Sequence, residues 1–415
     1  MELMGSFGRK SLLPGLLCLA ISGCSVNEVI VAEETELVVA ETPVAEAMLL
    51  DIGIVEFNPG ISPDNDPAET GVYAEIRKAE TKYLAYHLKT TLQGTGHWGA
   101  VRVIPSRSAF TDIIITGDIE KSDGEFVELS ISVSDAAGRP WFDQTYEAQT
   151  GITSYSERRD RRQDPYQKVF NDIANDLQQY VAQLPPKQLQ QTRHISELQF
   201  FGDMSPLAFG DHLTTDENGL VTIQRLPAEN DPAVMRMRQI RERDRLVVDT
   251  LNEHYANFYY GISMPYRGWR KNAREESVNF REVKRSARLQ ALVGVVVLAG
   301  SLAIDTDSSS SRTTRNVNRG LQNMGIAEGF ERVVGAWGQN REANIHIDAI
   351  AELSESFGAE AAPMIVNVEG QERRLTGTAA VQYESWRKLL KDIYKAETGF
   401  SQSIEIGARA PETEL

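Results

Sequence analysis

Residues 112–148 read DIIITGDIEKSDGEFVELSISVSDAAGRPWFDQTYEA, and this stretch decides the fold. Apolar and polar residues alternate along it, most cleanly at Val127, Leu129, Ile131 and Val133. That is the period of a strand with one buried face. Ser122-Asp123-Gly124-Glu125 and Asp135-Ala136-Ala137-Gly138 interrupt the pattern with turn chemistry, glycine supplying the φ that other residues resist. Three strands are predicted, over 112–120, 126–133 and 141–148, folded as a meander.

Upstream, residues 48–57 (MLLDIGIVEF) predict a strand ended by Asn58-Pro59-Gly60. Ile76, Ala79, Tyr83, Tyr86 and Leu88 lie among charges at helical spacing, so 74–92 predicts an amphipathic helix closed by Gly94 and Gly96. Residues 100–104 predict a further strand, stopped by Pro105. Residues 48–150 thus form one small α/β unit. Its pieces LDIGIVEF, the helix to Gly94, VRVIP, DIIITGDIE and LSISVSDAAGRPW resemble, in order, the small α/β domain of curli-secretion channel proteins and the amino-terminal domain of TolB proteins. The resemblance implies a periplasmic docking module rather than a catalytic one.

Downstream, 151–230 reads as a connection. It holds a charged joint at 158–162, a helix over 165–184 ended by Pro185-Pro186, and an irregular stretch over 198–222. Within the last, 212–215 and 220–223 flank Asp216-Glu217-Asn218-Gly219 as a hairpin. Asp231-Pro232 then opens a long helix, Asp as N-cap and Pro at the first helical position. Val234, Met237, Ile240, Val247, Leu251, Tyr255 and Phe258 keep its apolar face as far as Gly261. Pro265 and Gly268 read as a break before a second helix over 269–304. A third helix follows over 318–357, broken near Gly335 and Gly338, then a hairpin over 363–378 around Gly370 and a closing helix over 379–398. The fold class expected is α+β: a small α/β domain, then a mostly helical domain over 231–400 with a β-hairpin, and a tail over 401–415.

The amino terminus carries an address. Arg9 and Lys10 precede an apolar run over 12–21, and Ile21-Ser22-Gly23-Cys24 closes it. That order is a secretory signal over 1–23 ending in small residues, and the run is too short to span the bilayer as an uncleaved helix. The four-residue close resembles the lipobox of bacterial lipoproteins. The resemblance implies cleavage before Cys24, acylation of its thiol and new amino group, and attachment by several acyl chains. Ser25, where an Asp would favour the inner membrane in that family, implies the outer membrane and its periplasmic face. Residues 24–47, rich in Glu, Val and Ala, read as an acidic tether. Of two cysteines, Cys18 lies in the signal and Cys24 is the acylated one, so neither a disulfide nor a thiolate metal site is expected.

The formal charge of −16 argues against nucleic acid as a partner, since such binding needs basic surface. Arg236, Arg238, Arg241, Arg243 and Arg245 stand close together on the long helix. They read as a solvated face pairing with Glu242, Asp244 and Asp249, or docking on an acidic surface of the same protein, with an anion site as the alternative. Six histidines, at 87, 97, 194, 212, 254 and 346, form no H-E-x-x-H or paired metal spacing. Asp64, Asn65, Asp66 and Glu69 lack EF-hand spacing and read as a helix-start turn. Gly94 to Gly99 reads as a turn rather than a phosphate loop. Tyr255, Phe258, Tyr259, Tyr260, Tyr266 and Trp269 read as a core corner, or as a docking patch if exposed. No metal or cofactor is called for.

The apolar run ALVGVVVLAGSLAI, from Ala291 to Ile304, is shorter than the ~20 residues of a spanning helix. It reads as a buried helix, in which Gly294 and Gly300 admit a close neighbour. The alternative is a membrane-inserting or oligomer-forming segment marked by Ala291, Gly294, Val297, Gly300 and Ile304, suggested by Arg281, Lys284, Arg285 and Arg288 just before it. The function expected is a non-catalytic, lipid-anchored binding or scaffold protein in envelope assembly, secretion or transport, with an unidentified envelope protein as partner. The alternatives are a membrane-inserted homo-oligomer through 291–304, or a cell-envelope hydrolase using unrecognised carboxylates.

Overall fold

A computed structural model of the 415-residue chain describes residues 34–65, 72–106, 110–151, 153–156, 163–228, 230–302, 341–359, 364–368 and 371–398. The expected signal, Cys24 and the 401–415 tail lie outside the described residues, as do Ile304 and the 318–340 part of the third helix.

The architecture is α+β. Strands β1 (Ile52–Val55), β2 (Val101–Ile104), β3 (Ile113–Ser122), β4 (Phe126–Asp135) and β5 (Pro140–Gln149) make one sheet in the order β2-β1-β3-β4-β5. β1 runs parallel to both neighbours, and β3, β4 and β5 form the antiparallel meander. Helix α1 (Ala74–Thr95) connects the parallel pair β1 and β2 and ends at Gly96, whose φ of 71° closes its last turn. The alternation read in sequence is realised: Val127, Leu129, Ile131 and Val133 are buried, and Glu128, Ser130, Ser132 and Ser134 face the other way. Helix α1 and helix α2 (Gln167–Ala182) supply the opposing apolar surface, including Leu84, Leu88, Phe170 and Ile173. Residues 34–40, expected in the tether, run against this unit: Asn171 and Asn175 donate to the carbonyls of Thr35 and Glu36 at 2.7 and 2.9 Å.

Two expectations are corrected. Pro185-Pro186 ends α2 but also begins α3 (Pro186–Met204), so 198–204 is helical rather than irregular. Proline fits a first turn, where its missing N–H would have had no partner anyway. The short helix α4 (Pro206–Phe209) and the expected hairpin, β6 (Leu213–Thr215) with β7 (Val221–Ile223), follow. The second correction concerns Pro265. Helix α5 runs unbroken from Pro232 to Leu302, with Pro265 inside it. Interior proline costs about 3 kcal/mol, but Ile262, Tyr266 and Trp269 around it are all buried, at about 1.5–3 kcal/mol each. Packing outweighs the local penalty, and the aromatic group lies along a continuous helix rather than at a corner.

Helix α6 (Arg341–Ala359) packs on α5 and α1, hairpin β8 (Met364–Val368) with β9 (Gln371–Leu375) follows, and α7 (Ala379–Thr398) is the last described element. Helix α5 belongs to two cores. Its Tyr255, Phe258, Ile262 and Tyr266 join the core under the sheet. Its Met237, Ile240, Val248 and Leu251 join a second core with Phe200 and Phe201 of α3 and Trp386 and Leu390 of α7. Between them, Asn252 caps the edge strand β2: its amide donates to the Val103 carbonyl and accepts from the Val103 N–H, both at 2.9 Å. A side chain thus supplies the missing neighbour of an edge.

Candidate functional site

Helix α5 carries two arginine centres, one matched to a carboxylate within the fold and one in a cleft with mainly neutral partners. The matched one surrounds Arg270, which is 1 % exposed and, with Asp164 and Tyr83, stands at the edge of a cavity. Its two terminal nitrogens donate to the two oxygens of Asp164, each at 2.8 Å. The Asp164 carboxylate also accepts from the Tyr166 N–H at 2.8 Å and the Tyr83 hydroxyl at 3.1 Å. The guanidinium lies 4.2 Å from the Tyr266 ring centre and 4.9 Å from that of Tyr166, a cation over aromatic faces. Burial alone would push the Asp164 carboxyl up; the Arg270 charge and hydrogen bonds overcome it and hold the group well below the usual carboxylate range.

A second buried carboxylate adjoins the first. Glu80 accepts from Ser122 at 2.5 Å and Tyr266 at 2.6 Å, with Arg77 at 3.1 Å. Burial dominates here, so its pKa is raised. The β3–β4 turn closes over this region. Gly124, at φ 81°, lies so close to the Arg270 carbonyl that a Cβ would collide with it. Its N–H donates to the Tyr166 hydroxyl and its carbonyl accepts from Tyr155 and Thr150. Beside the knot, His87 is buried and held at both ring nitrogens, by Tyr259 at 2.8 Å and Gln167 Oε1 at 2.9 Å. Gln167 uses its amide nitrogen on Asn171, so its oxygen accepts and Nε2 of His87 carries the proton. Burial lowers the His87 pKa. A cavity of about 640 Å³ opens here between α1 and α5, with Tyr260 at its mouth, 67 % exposed.

The other centre is a cleft of about 560 Å³ between α3 and α5. Gln190, Arg193, His194 and Glu197 line it from α3; Arg238, Arg241, Glu242 and Arg245 line it from α5. Each set is spaced i, i+3, i+4, i+7, one face of a helix. Asp51 and Asp112, just before the parallel strands β1 and β3, form its floor. Asp112 accepts from the Asp51 N–H at 2.9 Å and is buried, which raises its pKa. Arg245 bridges Asp51 at 2.9 Å and Glu242 at 2.7 Å. Arg238 lies along Glu197 with two contacts, at 2.8 and 3.3 Å. Arg241, 7 % exposed, donates to Ser196 Oγ at 2.8 Å and to the Phe110 carbonyl at 3.4 Å.

The arginine row read in sequence is therefore divided. Arg238, Arg241 and Arg245 share the cleft, whereas Arg243 meets Glu397 of α7 at 3.2 Å and Arg236 is exposed. Of the expected acidic partners, Glu242 pairs with Arg245. Asp249 instead holds Arg102 of β2, and Asp244 turns into the second core toward Tyr383, Trp386 and Arg387. His212 bonds the Arg225 carbonyl, and His346 packs on Gly268. Asn65 donates to the Val72 carbonyl at 2.9 Å; Asp66 and Glu69 lie outside the described residues. Among the described residues no group of His, Cys, Asp and Glu is arranged to hold a metal ion. Ala291, Gly294, Val297 and Gly300 lie on α5; their side chains are outside the described residues. No helix among the described residues is long and apolar enough to cross a membrane. Sequence reasoning missed Gln190, Arg193 and His194 because it missed α3; the row Q-x-x-R-H-x-x-E was the available signal.

Comparison of the chain with protein-family models, with curated proteins and with solved structures finds no match in any of the three.

Proposed function

We propose that this chain is a lipid-anchored binding protein at the periplasmic face of the outer membrane, a non-catalytic scaffold that presents a helical arm to an envelope protein. The observation that carries the reading is α5. Two cores grip it between Val234 and Arg270, and the same helix continues to Leu302. At 1.5 Å per residue that extension reaches about 48 Å past Arg270. It carries Arg281, Lys284, Arg285 and Arg288 and then the apolar residues from Ala291 onward. A helix held at one end, whose sequence continues with charged and then apolar residues, is suited to bridging components rather than to enclosing a substrate. The lipobox order around Cys24 and the strand order of 48–150 support the envelope setting. Self-association through the apolar end of the arm is the second reading, favoured by the same continuity of the helix.

The test has two arms. Fatty-acid labelling and membrane fractionation of wild type and Cys24→Ala should show labelled, outer-membrane protein becoming unlabelled and detached. Unlabelled wild type in a soluble fraction overturns the anchor. A photo-crosslinker at Val278, on the arm, should join the protein to a discrete envelope protein. Adducts only between copies of this chain would select the oligomer, and no adducts would remove the arm from the proposal.

A further inference from the structure

We propose that the cleft between α3 and α5 binds a phosphoryl group, with Arg193, His194 and Arg241 as the groups that meet it. The case rests on how the charges are matched. Glu197 is committed to Arg238, and Arg245 takes Asp51 and Glu242. Asp112 accepts from the Asp51 N–H and lies close enough to attract Arg241, but no direct hydrogen bond joins the two side chains. Arg241 is left among the described residues with two neutral acceptors, both bonded through one terminal nitrogen, Nη2. Asp112, Glu197 and Asp51 lie near enough to favour its charge, but burial outweighs them and the neighbouring Arg245 opposes it. Arginine does not discharge under such pressure. A buried cation whose direct hydrogen-bond acceptors are neutral is only partly compensated, and a bound anion offsets the remaining cost.

Two further donors border the same space. Arg193 spends one nitrogen on the Glu46 backbone carbonyl, at 2.7 Å, and meets no carboxylate in the cleft among the described residues. His194 is the exposed residue beside it on the same helical face. Planar guanidinium forks match the paired oxygens of phosphate, and the imidazole adds a third direction of donation. In a chain of net charge −16 the convergence of these donors is local and specific. The carboxylates Asp51, on the floor, and Glu242, on α5, set the rest of the ligand. They repel a densely charged polyanion and accept hydrogen bonds from hydroxyl or ammonium groups. The ligand class is a small phosphate ester bearing such groups, either a free phosphorylated metabolite or a phospholipid headgroup. Membrane attachment is not required for the site.

The full-length protein is titrated calorimetrically at low salt with glycerophosphoethanolamine and with inorganic phosphate. Saturable binding of at least one is expected, weakened tenfold or more in Arg193→Ala/His194→Ala and in Arg241→Lys. The control Arg236→Ala, on the same helix but outside the cleft, should bind as wild type. Tighter binding of glycerophosphoethanolamine assigns the headgroup as source, and tighter binding of phosphate assigns a soluble ester; each supports the site. Absence of saturable binding overturns the proposal, as does equal weakening by Arg236→Ala and the cleft variants. The Arg193/His194 pair lies on the accessible side, so the test stands whether or not Arg241→Lys folds.

Discussion

Arg270 and Arg241 sit on one helix, both buried, and their surroundings differ in kind. Arg270 has a carboxylate aligned on both terminal nitrogens and tyrosine faces around it. Arg241 has a hydroxyl, a backbone carbonyl and an open cleft. Arg270 meets a carboxylate on both terminal nitrogens and leaves only its Nε without a hydrogen bond, so the first centre is a clamp. A charge matched only in part, beside accessible space, is the kind that binds. The difference separates holding α5 in place from using it.

The sharpest way to break this contrast is Arg270→Ala. It would strand the Asp164 carboxylate in the interior, a change expected to cost about 3–5 kcal/mol in urea denaturation. Asp164→Asn in the same background should recover part of that loss, because the stranded charge is then gone. A loss under about 1 kcal/mol would show that water reaches the knot and that it is no clamp.

His87 gives a second, smaller effect through pH. Burial lowers its folded pKa, against opposing contributions from Asp164 and Gln167. The unfolded chain therefore takes up the proton first, at about pH 6.5. Stability from the neutral ring is present above that pH and is lost as pH falls below it toward the folded value. Asp164 behaves differently: its depressed pKa keeps its contribution intact above about pH 4. Melting temperatures measured from pH 8 to 5 should fall across the lower half of that range, and His87→Gln should flatten the fall. An unchanged slope would remove His87 as the group responsible.

How far the sequence announced these centres depends on how local their causes are. The sheet was legible because its strands carry a period-two pattern and turn glycines, and the range expected for the closing helix is that of α7 to the residue. The continuity of α5 was not, since Pro265 argues for a break and only the burial of Ile262, Tyr266 and Trp269 overrides it. Helix α3 was hidden by a proline pair that both stops and starts a helix. The clamp was invisible for another reason. Glu80, Asp164 and Arg270 are distant in sequence, and no spacing rule brings them together. The arginine row could be read; which members would turn to a shared cleft could not, because α3 supplies the other wall.

Arg238 is exposed, and its paired contact with Glu197 lies at the cleft mouth. Exposed pairs contribute about 0–1 kcal/mol, so Arg238→Ala should barely move the denaturation midpoint. It should still matter to the cleft. Released from Arg238, the Glu197 carboxylate presents an uncompensated negative charge to the space where Arg193 and Arg241 await an anion. Phosphate affinity should fall several-fold while stability holds, the reverse of the Arg270→Ala outcome. If affinity is unchanged, Glu197 points its charge to solvent, and Arg238 is not part of what keeps the cleft receptive.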